Sequence, residues 1–101
     1  QRYRESLEEF NRLIVDYPQD VSLLKARAEL EVEMNTLELA LLDLESAVKL
    51  APNDAEIYVM CGDIYIAQGR NREAYRAFEK AIELGVPRPE LQDRLKASKK
   101  K

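Results

Sequence analysis

Three glutamates spaced two residues apart are the part of this sequence that most resembles a chemical site. Carboxylates such as those of Glu29, Glu31 and Glu33 are the ligands that calcium and magnesium prefer. Residues two apart on a helix point to different sides, so one ion cannot reach all three. Glu29 and Glu33 share a face, and solvated surface charge is the favoured interpretation of that pair. We therefore predict no metal site.

The sequence also lacks the residues that most catalytic sites require. It contains no histidine, the commonest general base and zinc ligand. Its three glycines, at 62, 69 and 85, are isolated, so no glycine-rich loop is present to hold a phosphate. The single cysteine, Cys61, is interpreted as a buried apolar residue rather than a reactive thiol. We predict that the chain is not an enzyme and binds no cofactor.

Charge is distributed unevenly along the chain. The net charge is −3, yet residues 86–101 carry six basic and two acidic side chains. Between Asp20 and Asp63, ten acidic side chains stand against three basic ones. An acidic segment repels phosphate groups, so we predict no nucleic-acid binding. Complementing a helix C-terminus and extending into solvent is the favoured role of the last four lysines, Lys96, Lys99, Lys100 and Lys101.

The composition is that of one small globular domain. Of 101 residues, 46% are hydrophobic and 35% are charged, which is too apolar for a disordered chain. The most apolar segment, residues 37–44, is interrupted by Glu38 and Asp43 and is shorter than the roughly 18 residues that a membrane span needs. We predict no membrane span, and the sequence does not indicate a cellular compartment.

Helical periodicity runs through the sequence, and strand signals are missing. Asp20 and Asp54 are placed to cap the helices that follow them. We predict six helices, over about residues 3–16, 21–34, 37–50, 55–68 and 72–84, and from about 89 onward. Proline, asparagine and glycine mark the turns between them, at Pro18, Asn35, Asn53, Gly69 and Pro87.

One pattern recurs every 34 residues. Pro18 and Pro52 are separated by this interval, and residues 40–48 are answered by residues 74–82. A period of this length indicates helical hairpins that stack because none of them can bury its apolar face alone. Arrays of this kind mostly present a surface to another protein, so the period itself favours a binding function.

These residues resemble the tetratricopeptide repeat, a pair of antiparallel helices with small and aromatic residues at fixed positions. One unit matches through Tyr58, Gly62, Tyr65, Ala74, Phe78 and Ala81. The preceding unit matches through Leu24, Ala28, Ala40, Leu44, Ala47 and Pro52. The resemblance implies an all-α fold, a right-handed superhelical stack of antiparallel hairpins. It divides a single domain, residues 1–101, into the second helix of a partial repeat (1–18), two full repeats (21–54 and 55–87), and a capping helix with a basic tail (88–101).

Most matching positions are assigned to the core. Small residues such as Gly62 allow helices to approach closely, and Phe78 and Tyr65 fill the space between hairpins. Arg27 and Glu31 depart from the pattern, because the family usually buries apolar side chains at these positions. Either the second helix is slightly rotated, or the two pair with each other or with Arg12, which precedes them.

The resemblance also implies a binding surface, because the first helix of each hairpin lines a concave groove in this family. Carried over by spacing, the groove residues are Ser22, Lys25, Glu29, Val32 and Glu33 from one helix and Glu56, Val59, Asp63 and Ile66 from the next. This acidic and apolar stripe suits a peptide or protein with Lys or Arg beside an apolar anchor. Family members that grip a C-terminal carboxylate use Lys, Arg and Asn there. Lys25 remains, but Glu29 and Ala26 replace the Asn residues, and Glu56 and Met60 replace the basic ones. An acidic groove would repel an acidic tail, so we reject that mode.

A structural role is the alternative function. In this alternative the chain is a segment of a longer array, without a peptide ligand of its own, and contacts itself or neighbouring repeats. The apolar face of the first helix, with Leu7, Phe10 and Ile14, is the surface predicted for such self-association.

Overall fold

The computed structural model describes residues 2–99, and all regular structure in that range is helical. Lys100 and Lys101, two members of the predicted basic tail, lie outside the described residues. The α-helices are α1 (Arg2–Asp16), α2 (Val21–Glu33), α3 (Leu37–Leu50), α4 (Ala55–Ala67), α5 (Asn71–Glu83) and α6 (Gln92–Lys99). The prediction of six helices is confirmed, and the bounds of the first five agree within one residue.

The sixth helix begins differently from the prediction. A 3-10 helix, Arg88–Leu91, precedes α6, which starts three residues after Pro89. Pro87 is extended, with ψ of 133°. The first turn closes with a 3.0 Å bond from the amide of Glu90 to the carbonyl of Pro87. Pro89 has no N–H to donate, so two prolines in this short segment favour a tight 3-10 turn before the α-helix.

Caps and left-handed turns separate the helices. The side chains of Asp20 and Asp54 accept hydrogen bonds from backbone amides in the first turns of α2 and α4, at 3.3 and 3.1 Å. Asn35 and Gly69, which follow the ends of α2 and α4, have positive φ values of 62° and 74°. These residue types tolerate that conformation at low cost, so they specify the same turn in both hairpins.

The chain divides into two compact units, the first ending at Pro52 and the second beginning at Asn53. In the first unit α2 packs against both α1 and α3. Its buried apolar residues come from α2 and α3 and are Leu24, Ala28, Ala40, Leu41, Leu44 and Ala47. No residue of α1 is fully buried. The apolar stripe of α1 is therefore only half-covered, at Leu7, Phe10, Leu13 and Ile14.

In the second unit α4, α5 and α6 enclose one apolar cluster. Its buried members are Ala74, Phe78, Ala81, Leu91 and Leu95, and Phe78 is fully buried. Gly62 of α4 lies directly against the Phe78 ring. A Cβ built on Gly62 would lie 2.6 Å from Cζ of Phe78, well inside van der Waals contact. Glycine at this position is therefore what allows α4 and α5 to approach, and the core role predicted for Gly62 and Phe78 is confirmed.

Two other side chains of α4 are less enclosed than the sequence suggested. Cys61, expected to be buried, is only half-buried. Tyr65 packs on the Phe78 cluster with part of its ring, while the guanidinium carbon of Arg70 stands 4.7 Å from the ring centroid. Tyr65 therefore combines core packing with a cation–π contact at the surface.

Candidate functional site

The stripe predicted on α2 occupies one helical face of the first unit. Its members follow one another at intervals of three or four residues, or directly at the end, so their side chains leave the helix on a similar side. Ser22, Glu29, Val32 and Glu33 are exposed, while Lys25 is half-buried. Val32 is 39% exposed, a large fraction for a valine. This part of the stripe presents two carboxylates beside an apolar side chain.

The stripe predicted on α4 is partly used by the core of the second unit. Glu56 and Asp63 are exposed, as expected for a binding surface. Val59 and Ile66 are half-buried and pack against the cluster around Phe78. The apolar surface that α4 offers to a ligand is therefore smaller than the sequence pattern suggested.

Asp63 already has a partner within the second unit. Its Oδ1 accepts a hydrogen bond at 2.8 Å from Nε of Arg94 in α6. Both side chains are more than 40% exposed, so the ion pair is a surface salt bridge and contributes little stability. It does offset the charge of Asp63. This pair could not be predicted from local sequence patterns, because the two residues lie 31 positions apart.

A charged cluster lies at the packing positions of the first unit. Arg27 of α2 donates to both carboxylate oxygens of Asp43 in α3, at 2.8 and 2.6 Å. A third nitrogen, Nη1, donates to Oδ1 of Asn11 in α1 at 2.9 Å. One guanidinium thus connects three helices, and the bidentate geometry with a carboxylate is the strongest form of this contact. Asp43, which the sequence showed only as a break in an apolar segment, is buried.

The pairing predicted for Glu31 is confirmed only loosely. Its Oε2 lies 3.9 Å from Nε of Arg27, longer than either bond to Asp43. The alternative partner, Arg12, instead forms a 3.2 Å salt bridge with Glu9 on its own helix. Of the alternatives that the sequence left open, the pairing of Arg27 with Glu31 is therefore the one observed, and the pairing with Arg12 is not. The bidentate contact with Asp43 takes up the guanidinium edge that a closer contact with Glu31 would need.

Glu31 is consequently a buried carboxyl group with incomplete pairing. The residue is 5% exposed, and its Oε1 has no hydrogen-bond partner. Burial raises the pKa of Glu31 to about 8, with further contributions from a hydrogen bond to Asp43 and from the negative charge of Asp43. The Arg27 charge acts in the opposite direction. Two carboxylates share one guanidinium here, so a proton on Glu31 relieves their repulsion.

Replacing Glu31 with glutamine should flatten the pH dependence of stability. The folded-state pKa of Glu31 lies above its ordinary value, so the folded chain holds a proton that the unfolded chain has lost between about pH 4.5 and about pH 8. The free energy of unfolding of the wild type should fall as pH rises through that window. Glutamine donates an N–H to Asp43 as protonated Glu31 does, so it imitates the acid form at every pH.

Urea denaturation at a series of pH values measures this effect. We expect the free energy of unfolding of Glu31→Gln to equal that of the wild type at about pH 5 and to exceed it by about 1–3 kcal/mol at about pH 9. Glu33→Gln removes the same charge from an exposed site on α2 and should leave the wild-type slope unchanged. Equal slopes for wild type and Glu31→Gln would show that Glu31 is ionised in the folded chain throughout.

Other sites that the sequence raised are not assembled in the described part of the chain. Within residues 2–99, no group of three or more His, Cys, Asp or Glu side chains is placed to hold a metal ion. No helix of that range is long and apolar enough to cross a membrane. Lys99 is exposed and lies in the last turn of α6, and its Nζ stands 5.5 Å from the centroid of the Tyr75 ring.

Known proteins share the sequence pattern and the fold of this chain. The family model described as tetratricopeptide repeat matches residues 31–98, which is more than half of the chain. No curated protein matches the chain in a search of that set.

Several solved structures share the fold. The first tetratricopeptide repeat domain of Spaghetti (RPAP3), bound to the HSP90 peptide SRMEEVD, is 22% identical with a TM-score of 0.87, covering 96% of this chain and 77% of that one. YrrB, described as having an unusual peptide-binding site, is 28% identical with a TM-score of 0.81, covering 91% of this chain and 47% of that one. The TPR2B domain of yeast Sti1, in complex with an Hsp70 peptide, is 16% identical with a TM-score of 0.84, covering 96% and 82%.

Proposed function

Because this chain belongs to the tetratricopeptide repeat family, we propose that it is a protein-interaction module that binds a peptide or protein segment through the stripe on α2. The observation that carries the proposal is the exposed α2 stripe. Glu29, Val32 and Glu33 are exposed on one face of α2. Burying the apolar surface of Val32 against a partner would be favourable. A partner with Lys or Arg beside an apolar side chain would satisfy both features.

The stripe on α4 has less free surface to offer a partner than the stripe on α2. Val59 and Ile66 supply only the part of their surface that the core leaves uncovered. A basic side chain arriving at Asp63 competes with Arg94 for the same carboxylate. The proposed contact and its electrostatic selection are therefore assigned to the α2 stripe.

The proposed partner is opposite in charge to one peptide seen on a similar fold. The HSP90 peptide in the Spaghetti complex ends in Glu-Glu-Val-Asp. An acidic segment of that type would meet Glu29 and Glu33 on α2 with like charge, which costs affinity. We therefore propose a basic and apolar segment for this chain.

Charge reversal on α2 tests the proposal. The probe is a fluorescent, end-blocked peptide in which two lysines flank a leucine, and its affinity is read from fluorescence anisotropy. We expect Glu29→Lys together with Glu33→Lys to weaken binding by about tenfold or more, and high salt to weaken wild-type binding. Helicity should be unchanged, because both residues are exposed. The matched control is Glu8→Lys with Glu45→Lys, an equal charge change at exposed sites of α1 and α3.

Equal affinity in the α2 variant and its control would place the contact elsewhere, since net charge alone would then account for binding. A second peptide, with serine in place of the leucine, tests the apolar part. Unchanged affinity for it would remove Val32 from the proposal.

Self-association through α1 is a second candidate, favoured by the incomplete burial of its apolar stripe. Leu7, Phe10 and Ile14 are each half-buried and share one face. In sedimentation velocity, this function requires a fraction of dimer that increases with protein concentration and that is lost in Phe10→Ser. A monomer at all concentrations removes it.

A further inference from the structure

A basic cleft lies on the second unit, and its charge is opposite in sign to that of the α2 stripe. It has a volume of about 500 Å³ and lies between the start of α5 and the end of α6. We define it by the side chains Arg72, Tyr75, Arg76 and Lys99, which line it. Arg72 and Arg76 are exposed and stand one helical turn apart on α5. Lys99 reaches across from α6, with its ammonium group over the Tyr75 ring.

The acidic residues of this face are engaged by other cations. Glu73 pairs with Arg70 at 3.4 Å, and Glu83 pairs with Lys80 at 3.2 Å. Glu79 of α5 pairs at 3.0 Å with an arginine of the 3-10 helix. Among residues 2–99, the salt bridges on this face therefore neutralise cations outside the basic cleft. The cleft cations Arg72, Arg76 and Lys99 are exposed, and the charges of Glu73 and Glu79 offset those of Arg76 and Lys99 only in part, because each of these acids also pairs with another arginine.

A second groove continues along α5 from the basic cleft. It has a volume of about 510 Å³ and shares Tyr75 and Arg76 with the cleft. Farther along the helix it is lined by Ile82, which is half-buried. Glu79, Lys80 and Glu83 also line this groove, and each of them is held in a salt bridge, so Ile82 is an apolar side chain among paired charges.

We propose that this surface of α5 and α6 docks an acidic protein segment, with two carboxylates at alternate positions and an apolar side chain two residues farther on. The spacing supports this pattern. Arg72 and Arg76 are separated by about 6 Å along a helix, and alternate side chains of an extended chain are about 6.6 Å apart. Arginine is suited to bind carboxylates with paired hydrogen bonds. The next alternate position then reaches the groove beside Ile82.

A protein segment fits these features better than a nucleic acid does. Tyr75 and Ile82 offer apolar surface, which a side chain can cover and a phosphate backbone cannot. The proposal concerns a different surface and a ligand of opposite charge from the function proposed above, so each can fail without the other.

Peptide titration with charge-removed variants tests this proposal. The probe is an end-blocked fluorescent peptide with the core Asp-Ser-Asp-Ser-Leu, so it carries no terminal carboxylate. We expect Arg72→Gln with Arg76→Gln to weaken binding by about tenfold or more. Arg2→Gln with Arg4→Gln removes the same charge from exposed sites on α1 and should have little effect. Peptides with asparagine for aspartate, or serine for leucine, should each bind more weakly than the probe.

Three outcomes would overturn the assignment. The first is equal binding by the cleft variant and the α1 control, or no binding of the probe to the wild type at about millimolar concentration. The second is tighter binding of a short single-stranded RNA than of the peptide, since the ligand class would then be wrong. The third is dimerisation that is lost in Arg72→Gln with Arg76→Gln, since a second copy of the chain would then be the occupant.

Discussion

Replacing Phe78 with alanine is expected to unfold the second unit in large part. Phe78 is fully buried and lies at the centre of the cluster formed by α4, α5 and α6. Truncating a buried phenylalanine costs about 3–5 kcal/mol, which is comparable to the whole stability of a chain this small. Thermal and urea denaturation followed by circular dichroism should show a much lower midpoint. A variant that keeps the wild-type midpoint would show that the ring does not hold these helices together.

The contact with Gly62 provides a sharper form of the same test. Alanine normally stabilises a helix relative to glycine by about 1 kcal/mol. At Gly62 the added methyl group would meet the enclosed Phe78 ring, so Gly62→Ala should instead destabilise by about 1–3 kcal/mol. In a Phe78→Leu background the smaller side chain should relieve much of this clash. Additive effects of the two changes would contradict a direct contact.

Replacing Arg27 with methionine is expected to have the largest effect in the first unit. The change leaves Asp43 and Glu31 buried without their shared cation, and it removes the link to Asn11. Breaking a buried ion pair from one side costs about 3–5 kcal/mol, because the remaining charge stays desolvated. Urea denaturation at neutral pH measures the loss. A loss within about 0.5 kcal/mol would show that the pair behaves as a surface salt bridge.

The control replaces the whole cluster. Arg27→Met with Glu31→Leu and Asp43→Leu removes the guanidinium and both carboxyl groups together, and no uncompensated charge remains. Exchange of a buried ionic group for apolar residues of similar size is often neutral or stabilising. We therefore expect the free energy of unfolding of the triple variant to exceed that of Arg27→Met by about 3–5 kcal/mol, the loss expected for the single variant. A triple variant as unstable as Arg27→Met would point to packing rather than charge.

The helices could be predicted from local features because local chemistry sets their ends. Pro18 and Pro52 end helices by removing a donor, Asp20 and Asp54 begin the next ones, and Asn35 accepts a left-handed turn. Each of these effects acts within a few residues, so it can be read from the sequence without knowing the fold. The 3-10 start of the last helix was missed because it depends on how two nearby prolines share one turn.

Side-chain partners were harder to predict because they depend on distances across the fold. Arg27 was recognised as unusual from the repeat pattern, yet its partner Asp43 lies on the next helix, 16 residues away. Arg94 and Asp63 are even farther apart along the chain. The signal for Asp43 was present, as an acid in the middle of the most apolar segment. A charged residue in such a place calls for a buried cation, and that reasoning would have identified Arg27.

The charged cluster also limits how the repeats of this protein can be rearranged. One period of 34 residues carries Arg27 onto Cys61, Glu31 onto Tyr65 and Asp43 onto Ala77, so the second hairpin has none of the cluster's charges. Swapping one helix between the hairpins would separate the guanidinium from its carboxylates and leave charges buried opposite apolar residues. Duplication or shuffling of repeats, in evolution or in engineering, therefore has to move α2 and α3 together. Similar backbones do not make these two hairpins interchangeable parts.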